Sequence, residues 1–400
     1  MKAKLAIVGC GTPAQKWHIP TLAELDKRDR VEFVALCDLD ENLARTMGEQ
    51  YEVPWYTSID EMLDRHPDIQ AVDIVTGDPS HHALGKLLAE KGKHVMVEKP
   101  MALTLPCCDA IIEACDRNGV HFEVAENYFR MPKQRAIVKL ITEGVLGEIV
   151  RVDFHDVKNN MAFEHEVTHR GMTSPLHAFG NSSGMCMDMG SHRLSQLRLY
   201  AQSEPVQISG TVNRYRAGET MLKEDFAHAM IQFESGCFGV YETSRVGENQ
   251  AFYQITGTRG GILDTKWTDP HLPLRLRIGD DYQDIPVETE RKTIDGVDVV
   301  QRIVVHTDPQ IIYENPFRDC AIDDWCIGHA SELMSLADAA LDKAPPEYGL
   351  GGRKDVEMAM AIYESSMNDM MPVKLPLTET TGYERQLHQD YEDKFGRPIV

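Results

Sequence analysis

Three consecutive residues, Glu98-Lys99-Pro100, follow the apolar run Val95-Met96-Val97 and place a cation beside a carboxylate. The segment Gly9-Cys10-Gly11-Thr12-Pro13-Ala14 lies upstream, directly after another apolar run that ends at Val8. Glycines between a buried strand and a helix are typical of loops that bind phosphates. Glu98 to Pro100 alone fit a charged turn after a strand equally well. The two segments together predict a nucleotide cofactor with Lys99 beside its reactive end.

Each position of the glycine loop has a separate expected role. Gly9 allows the tight turn, Gly11 lets a pyrophosphate approach the backbone, and Ala14 fills the third position, where helix packs on strand. Thr12 lies within the loop, and Pro13 fits the first turn of the following helix, where its missing N–H is not needed. The free N–H groups at the helix start then attract phosphate.

Asp38 follows a second apolar run at residues 31–37. A carboxylate at this point accepts hydrogen bonds from both ribose hydroxyls of an adenosine and repels a 2′-phosphate. Leu39-Asp40 supply no arginine or serine to bind that phosphate, so the sequence favours NAD over NADP. A solvated acid at a strand end is the plainer alternative.

The elements that position these residues alternate between strands and helices over residues 1–126. Apolar strand candidates lie at 5–8, 31–37, 71–75, 94–97 and 120–124, with helical stretches between them. This alternation predicts a doubly wound parallel sheet covered by helices on both faces. Ligands bind such sheets beyond the carboxyl ends of the strands, where Gly9, Asp38, Thr76 and Glu98 all lie.

The pattern changes after about residue 150. Residues 127–400 are expected to form a second α/β domain with a large, mainly antiparallel sheet, from strand-like runs at 148–154, 206–212, 227–233, 237–243 and 251–256. Helix-like stretches lie at 135–143, 323–341 and 355–367. The mixed, proline-containing stretch 263–319 fits a lid, an oligomer arm or a plain connection.

Composition excludes several classes of partner. The net charge of −22 argues against nucleic acid or anionic membrane, both of which need clustered Lys and Arg. The segment Met1 to Lys4 leads into the first strand without an apolar signal region, and no apolar stretch reaches transmembrane length. Nine scattered cysteines, an odd count, predict reduced thiols. A cytoplasmic protein is therefore expected.

The ordered set of motifs resembles the family of glucose-fructose oxidoreductase and inositol dehydrogenase, called Gfo/Idh/MocA. The resemblance spans nearly the whole chain. Beyond the glycine loop, Asp38 and Glu98-Lys99-Pro100, it rests on the following segments: Thr76 through Pro79 to His82, Glu126-Asn127-Tyr128-Phe129-Arg130-x-Pro132, Gly184-x-x-x-Asp188-x-Gly190-x-His192, and Ala361 to Ser366.

The resemblance implies a Rossmann domain, a second domain whose open sheet makes a homodimer or homotetramer, and oxidation or reduction of sugar-like alcohols. Cofactor contacts are implied at Thr76, Pro79, His82, Glu98, Lys99 and Asn127. By resemblance, His192 is the general base, Asp188 orients substrate or imidazole, and Lys99 holds the reacting oxygen. Asp188 and His192 are four residues apart and would share one helix face. An ordinary helix with an exposed histidine is the alternative.

A polar segment between the strand at 148–154 and the Asp188/His192 motif supplies further candidate substrate ligands: His155, Lys158, Asn159, His169 and Arg170. Such groups bind polyhydroxylated or acidic molecules, although a solvated loop explains them equally well. The histidine spacings match no zinc motif, so no metal is expected.

Three classes of function follow. The first is an NAD-dependent dehydrogenase of a sugar, cyclitol or sugar acid. The second is a glycosidase that uses NAD transiently, through oxidation, elimination and re-reduction. The third is a sugar or nucleotide sensor without catalysis, which the joint presence of Lys99, Asp188 and His192 disfavours.

Overall fold

The computed structural model describes residues 2–157, 184–215, 224–265, 274–279 and 281–400. The candidate ligands Lys158, Asn159, His169 and Arg170 lie outside these residues. All nine cysteines are within them and are free thiols. None of the helices described combines the length and apolar character needed to cross a bilayer.

The N-terminal part is built on a six-stranded parallel sheet in the order β3-β2-β1-β4-β5-β6. Apart from the half-buried edge strand β3, its strands are mostly buried apolar runs, as expected for a sheet covered on both faces. Their bounds are β1 Lys4–Val8, β2 Glu32–Cys37, β3 Trp55–Tyr56, β4 Ala71–Ile74, β5 His94–Glu98 and β6 Phe122–Ala125.

Helices connect these strands, and local sequence accounts for several of their ends. A π-helical turn, Ala14–His18, leads into the first helix. Asp40 caps α2 by accepting from the Asn42 and Leu43 amides, and Gly119 ends α5 with a φ of +63°. The bounds are α1 Ile19–Lys27, α2 Glu41–Tyr51, α3 Ile59–Arg65, α4 Asp78–Glu90 and α5 Leu105–Asn118.

The second part is built on a nine-stranded sheet in the order β14-β13-β12-β11-β7-β10-β9-β8-β18. All of its neighbours are antiparallel except β7 and β10, which confirms the predicted mainly antiparallel sheet. The bounds are β7 Ile149–Val157, β8 Pro205–Asn213, β9 Phe226–Phe233, β10 Phe238–Ser244, β11 Gln250–Gly257, β12 Gly260–Asp264, β13 Leu274–Ile278, β14 Asp281–Ile285 and β18 Val373–Lys374.

The stretch 263–319 is β-structure where it is described. It completes one edge of the large sheet and then forms a separate antiparallel sheet of three strands, β15 Val287–Ile294, β16 Val297–Val305 and β17 Ile311–Glu314. Ion pairs join this region to α1, with Asp295 Oδ2 2.9 Å from Lys27 Nζ and 2.6 Å from Arg28 Nη2. These ion pairs therefore connect the stretch to the N-terminal part of the chain.

In the described part of the chain after residue 126, five α-helices accompany these sheets: α6 Pro132–Thr142, α7 Gly184–Ala201, α8 Asp324–Ala340, α9 Gly349–Met367 and α10 Gly382–Phe395. Helix α7 packs on β7 and β10, while α8 lies against β4, β5 and β6. The predicted α/β fold is confirmed in both parts. The division of the chain after residue 126, one residue beyond β6, stays a prediction.

Candidate active site

The glycine loop has the geometry that a phosphate cradle requires. Gly9 has a φ of +104°, and a Cβ there would lie 2.2 Å from the Val75 carbonyl oxygen, so only glycine fits. A Cβ at Gly11 would meet no atom within 4 Å, which leaves the loop open on that side. Thr12 and Pro13 are exposed at the helix start, whereas Ala14 is buried against the sheet.

Asp38 stands at the end of β2, and its carboxylate is oriented by backbone groups. Its Oδ2 accepts from the Cys10 amide at 2.6 Å, and its Oδ1 accepts from the Asp40 amide at 2.8 Å. Each carboxylate oxygen has a second lone pair to offer. A ribose diol beyond the loop could use those remaining sites.

The other predicted cofactor residues line the same edge of the sheet to different degrees. The hydroxyls of Thr76 and Ser80 are 2.7 Å apart, and Pro79 is buried in the first turn of α4. His82 contacts the C-terminal segment, with its Nε2 2.7 Å from the Ile399 carbonyl oxygen. One imidazole nitrogen of His82 is therefore committed away from the loop.

Asn127 offers a donor without a partner. Its side chain is buried, and its Nδ2 has no hydrogen-bond partner among the residues described. Buried amide N–H groups are normally paired. The open side of Gly11, the oriented carboxylate of Asp38 and this orphan donor together fit a dinucleotide.

Lys99 and Asp188 form the centre of the site. Lys99 Nζ lies 2.7 Å from Asp188 Oδ1 and 3.3 Å from the Asp188 carbonyl oxygen. Lys99 comes from the end of β5 and Asp188 from the first turns of α7, so the contact joins the two parts of the chain. About half of the Asp188 side chain is exposed, which leaves the pair open to a ligand.

Electrostatics keep this pair ionised. Burial opposes the charge on Lys99, but the carboxylates of Asp188 and Glu98 raise its pKa above the ordinary value. Burial also opposes ionisation of Asp188, yet the charge and hydrogen bond of Lys99 lower its pKa. The contact is therefore an ion pair between a cationic Lys99 and an anionic Asp188.

His192 lies one turn further along α7, on the same side as Asp188. Its Nδ1 is 2.8 Å from both carboxylate oxygens of Glu126. Its ring stacks on Tyr128 with centroids 3.9 Å apart, and the Arg193 guanidinium covers Tyr128 at 4.7 Å. Burial, followed by the charges of Lys99 and Arg193, lowers the pKa of His192 well below 6.5. His192 is thus neutral at physiological pH.

Glu98 is held from behind by a second histidine. His18 Nε2 lies 3.1 Å from Glu98 Oε1, and His18 Nδ1 lies 2.8 Å from Asp73 Oδ2. Burial opposes ionisation of Glu98, but the hydrogen bond and charge of His18 lower its pKa to about 2. This buried chain fixes Glu98 next to Lys99.

Among the candidate substrate ligands that the structure describes, His155 is the one that the fold does not bring to Lys99. The neighbouring Phe154 and Asp156 face α7, where both contact Arg193. Alternation along the strand therefore directs His155 to the opposite face. There its Nδ1 lies 3.1 Å from Glu242 Oε2, and its ring stacks on Phe252.

Two family profiles match consecutive parts of the chain. The NAD-binding Rossmann fold of the Gfo/Idh/MocA oxidoreductases matches residues 3–126, and the Gfo/Idh/MocA C-terminal domain matches residues 134–263. The chain belongs to the Gfo/Idh/MocA family. The resemblance of its motifs is thereby confirmed.

Individual proteins named below resemble this chain at low sequence identity. D-apiose dehydrogenase of Paraburkholderia graminis is 26% identical over 268 residues, which are 65% of this chain and 66% of that protein. The structure of aldose-aldose oxidoreductase from Caulobacter crescentus, complexed with glycerol, is 22% identical with a TM-score of 0.73 and covers 94% of this chain and 100% of that one. The WlbA dehydrogenase of Bordetella pertussis, complexed with NADH and UDP-GlcNAcA, has a TM-score of 0.72 at 19% identity, over 94% and 98% of the two chains.

Sequence reasoning missed the contact between Glu126 and His192. Glu126 was part of a recognised motif, but no spacing rule connects it to His192, 66 residues later. The available signal was its place directly after β6, since polar residues at strand carboxyl ends converge at one edge of a parallel sheet.

A second group missed by sequence reasoning lies behind the sheet edge. His18, His329 and Glu332 are buried with potential metal-binding atoms within 4.8 Å of one another. Both nitrogens of His18 are already engaged by Asp73 and Glu98, so a cation would have to displace one of them. The expectation of no metal stays a prediction.

Proposed function

We propose that this protein is an NAD-dependent dehydrogenase of a secondary alcohol on a sugar, cyclitol or sugar acid. The observation that carries the proposal is the 2.7 Å contact between Lys99 and Asp188, with His192 one helical turn away. A dehydrogenase needs a cation or donor at the alcohol oxygen and a base for its proton. Family membership and the named dehydrogenases among the relatives support the same reaction class.

The proposed mechanism divides the work between three side chains. A bound NAD would supply the hydride acceptor for the alcohol carbon. Lys99 donates to the alcohol oxygen and stabilises negative charge as the O–H bond breaks. The neutral imidazole of His192 accepts the hydroxyl proton at Nε2. Asp188 fixes Lys99 and presents its second carboxylate oxygen to a neighbouring hydroxyl.

NAD is proposed over NADP because of Asp38. Its carboxylate is already oriented by two amides and would repel a 2′-phosphate at the same place. Asp38→Ala should raise the dissociation constant of NAD by about ten- to hundred-fold, the scale of lost hydrogen bonds to a charged group. It should raise that of NADP much less. Calorimetric titration with both nucleotides measures the ratio, and an unchanged ratio would remove Asp38 from the assignment.

The decisive experiment incubates purified protein with a panel of sugars, cyclitols, sugar acids and aryl glycosides, with and without NAD. Absorbance follows NADH while a second channel follows released aglycone. NADH that accumulates with one alcohol class supports the dehydrogenase and names the class. Aglycone release without NADH supports the redox glycosidase instead. NAD binding with silence in both channels, on a panel that includes the relatives' substrates, favours the sensor.

The assembly and location are also proposals. The face of the large sheet opposite α7 carries the paired residues Met230 of β9 and Val240 of β10, together with Phe238 of β10 and Phe252 of β11, all at least partly exposed. We propose that this face joins copies of the chain as a homodimer or homotetramer. Sedimentation equilibrium measures the mass, and a monomer at all concentrations contradicts the proposed oligomer.

Nine free, mostly buried thiols support a reducing, cytoplasmic location. Localisation of a tagged full-length protein tests this proposal.

A further inference from the structure

The carboxylate of Glu126 is anchored by a backbone amide and contacts the imidazole of His192. Glu126 follows β6, and its amide donates to the Val124 carbonyl at 2.8 Å. Its Oε1 accepts from the Tyr128 amide at 3.0 Å, so the side chain is anchored by its own turn. Both oxygens then lie 2.8 Å from His192 Nδ1. The carboxylate has little freedom to turn elsewhere.

The imidazole is equally restrained. Tyr128 stacks on one side of the ring, and Arg193 holds Tyr128 in turn. Glu126 occupies Nδ1, which leaves Nε2 as the nitrogen available to a ligand. Within the described ranges, no hydrogen bond to Nε2 is present. A histidine donates from one nitrogen and accepts at the other when neutral, and the partner at one nitrogen sets the tautomer.

The other carboxylates near His192 are committed elsewhere. Asp188 Oδ1 binds Lys99, and Glu98 binds His18. The sequence left open whether Asp188 orients the imidazole, but the carboxylate in contact with the ring is that of Glu126. Among the described residues, the further charged or titratable groups that act on this pair include Lys99, Arg193, Tyr128, Tyr348 and Asp355.

We propose that Glu126 is the positioning residue of His192: it holds the tautomer with hydrogen on Nδ1 and stabilises the imidazolium that forms during alcohol oxidation. The inference rests on the proposed function. In the oxidation, the carbon gives its hydride to NAD and the hydroxyl proton goes to Nε2. The new positive charge then faces the carboxylate at 2.8 Å. In the reverse reaction the same proton returns to the oxygen.

The pair has a distinctive dependence on pH. Burial raises the pKa of Glu126 to about 7, although the Tyr128 amide and the charge of Lys99 oppose the rise. Because the pKa of His192 is lowered, the first proton taken up near neutrality belongs to the pair and resides mainly on Glu126. A protonated Glu126 donates to Nδ1, which moves the imidazole hydrogen to Nε2 and removes the base. Oxidation should therefore increase as pH rises through about 7.

Glu126→Gln separates positioning from structure. The amide oxygen can still accept from Nδ1, but it carries no charge and does not titrate. We expect kcat/KM at high pH to fall about ten- to hundred-fold, the scale of a hydrogen bond to a charged group. We also expect the acid limb, the part of the pH–rate profile in which activity falls towards low pH, to move below pH 6.5. Only the titration of His192 then remains, and its pKa is lowered. Glu126→Asp, which keeps the charge, should retain a limb near neutrality.

Glu332→Gln is the matched control. Glu332 is another buried carboxyl in contact with a histidine, since its Oε1 lies 2.7 Å from His329 Nδ1. This pair has no place in the proposed reaction. Its variant should keep the wild-type limb and rate per folded molecule, and thermal denaturation measures the folded fraction of each variant.

Nitrogen NMR of the 15N-histidine protein gives a readout that does not depend on turnover. The His192 signals are assigned by their loss in His192→Gln. Above pH 8 the wild type should show hydrogen on Nδ1 and a bare Nε2, and both signals should shift near pH 7. In Glu126→Gln that shift should disappear. Hydrogen on Nε2 in the wild type at high pH overturns the inference even if the variants do not fold.

The two failures are distinguishable. If the wild type oxidises no alcohol but shows the Nδ1 tautomer and the titration near pH 7, the positioning stands and the proposed function fails. If the wild type turns over and Glu126→Gln keeps the same limb, rate and tautomer, the proposed function stands and the role of Glu126 is refuted.

Discussion

Two buried glutamate–histidine pairs in this molecule have similar contacts but different electrostatics. His192 meets Glu126 at 2.8 Å beside the open Lys99–Asp188 pair, whereas His329 meets Glu332 at 2.7 Å inside the packing of α8. Burial and the charge of His18 lower the pKa of His329 to about 3, and burial raises the pKa of Glu332 well above 4.5. The shifts of both groups therefore favour their uncharged forms.

The difference shows what turns such a pair into a candidate base. At His329 and Glu332, burial is the largest influence on the pKa, and it favours the uncharged form of each group. At Glu126, the Tyr128 amide and the charge of Lys99 partly offset desolvation and leave the pKa at about 7. The charges of His18 and Arg130 likewise act to lower the pKa of Glu332, but they leave it well above 4.5. The balance between burial and the surrounding charges and hydrogen bonds, rather than the pair itself, therefore decides whether such a site responds to protons near neutrality.

Removal of each imidazole should produce the largest contrast. His192→Ala should lower kcat/KM by about 10²- to 10⁴-fold, the contribution of a positioned base, with NAD binding retained. His329→Ala should leave the rate per folded molecule within a few-fold but should destabilise the protein by about 1–3 kcal/mol, because Glu332 loses its partner. Steady-state kinetics and chemical denaturation on both variants measure the contrast. Equal kinetic losses would abolish the distinction between the pairs.

Lys99→Met tests the cation that acts on the His192 pair. Loss of a group that stabilises the developing oxyanion should reduce turnover by about 10²- to 10³-fold. The pKa of His192 should rise at the same time, because the charge of Lys99 contributes to lowering it. NMR titration of His192 in this variant measures the shift. A pKa that does not rise would exclude electrostatic coupling between the two side chains.

Substitution of His18 should produce the smallest effect, a change in how the free energy of unfolding depends on pH. Its pKa is raised well above 6.5, since the charges and hydrogen bonds of Asp73 and Glu98 outweigh desolvation. The stabilisation that it gives is full below pH 6.5 and is lost as pH rises towards the folded-state pKa, by at most about 1.4 kcal/mol per pH unit. His18→Gln should flatten this decline. Urea denaturation between pH 6 and 9 compares the slopes, and parallel slopes would contradict the assignment.

The sequence predicts the elements of the fold well because their patterns are local. Apolar runs at 5–8 and 94–97 correspond to β1 and β5, and the turn at Gly9 requires a conformation that glycine alone adopts freely. Asp188 and His192 are four residues apart and lie on one helix, as their spacing indicates. These predictions needed no information from distant parts of the chain.

Contacts between distant segments were not predictable in the same way. Glu126 and His192 are 66 residues apart, and their contact depends on how α7 packs above the sheet edge. His155 seemed equivalent to other polar residues of its segment, but strand alternation turned it to the opposite face. The strands within residues 263–319 were not recognisable from the sequence, because charged residues and prolines interrupt the apolar pattern and exposed strands lack a continuous apolar run.

The C-terminal helix has a consequence for how this enzyme fold can be recombined. Glu384 of α10 accepts from the Leu105 amide at 2.7 Å, His388 contacts Thr104 at 2.9 Å, and the Ile399 carbonyl contacts His82. The end of the chain thus completes the packing of the nucleotide-binding half. A chimera that exchanges residues 1–126 alone would inherit mismatched partners for all three contacts. Engineering of cofactor preference is therefore better attempted by substitutions around Asp38 than by transplanting the half as a cassette.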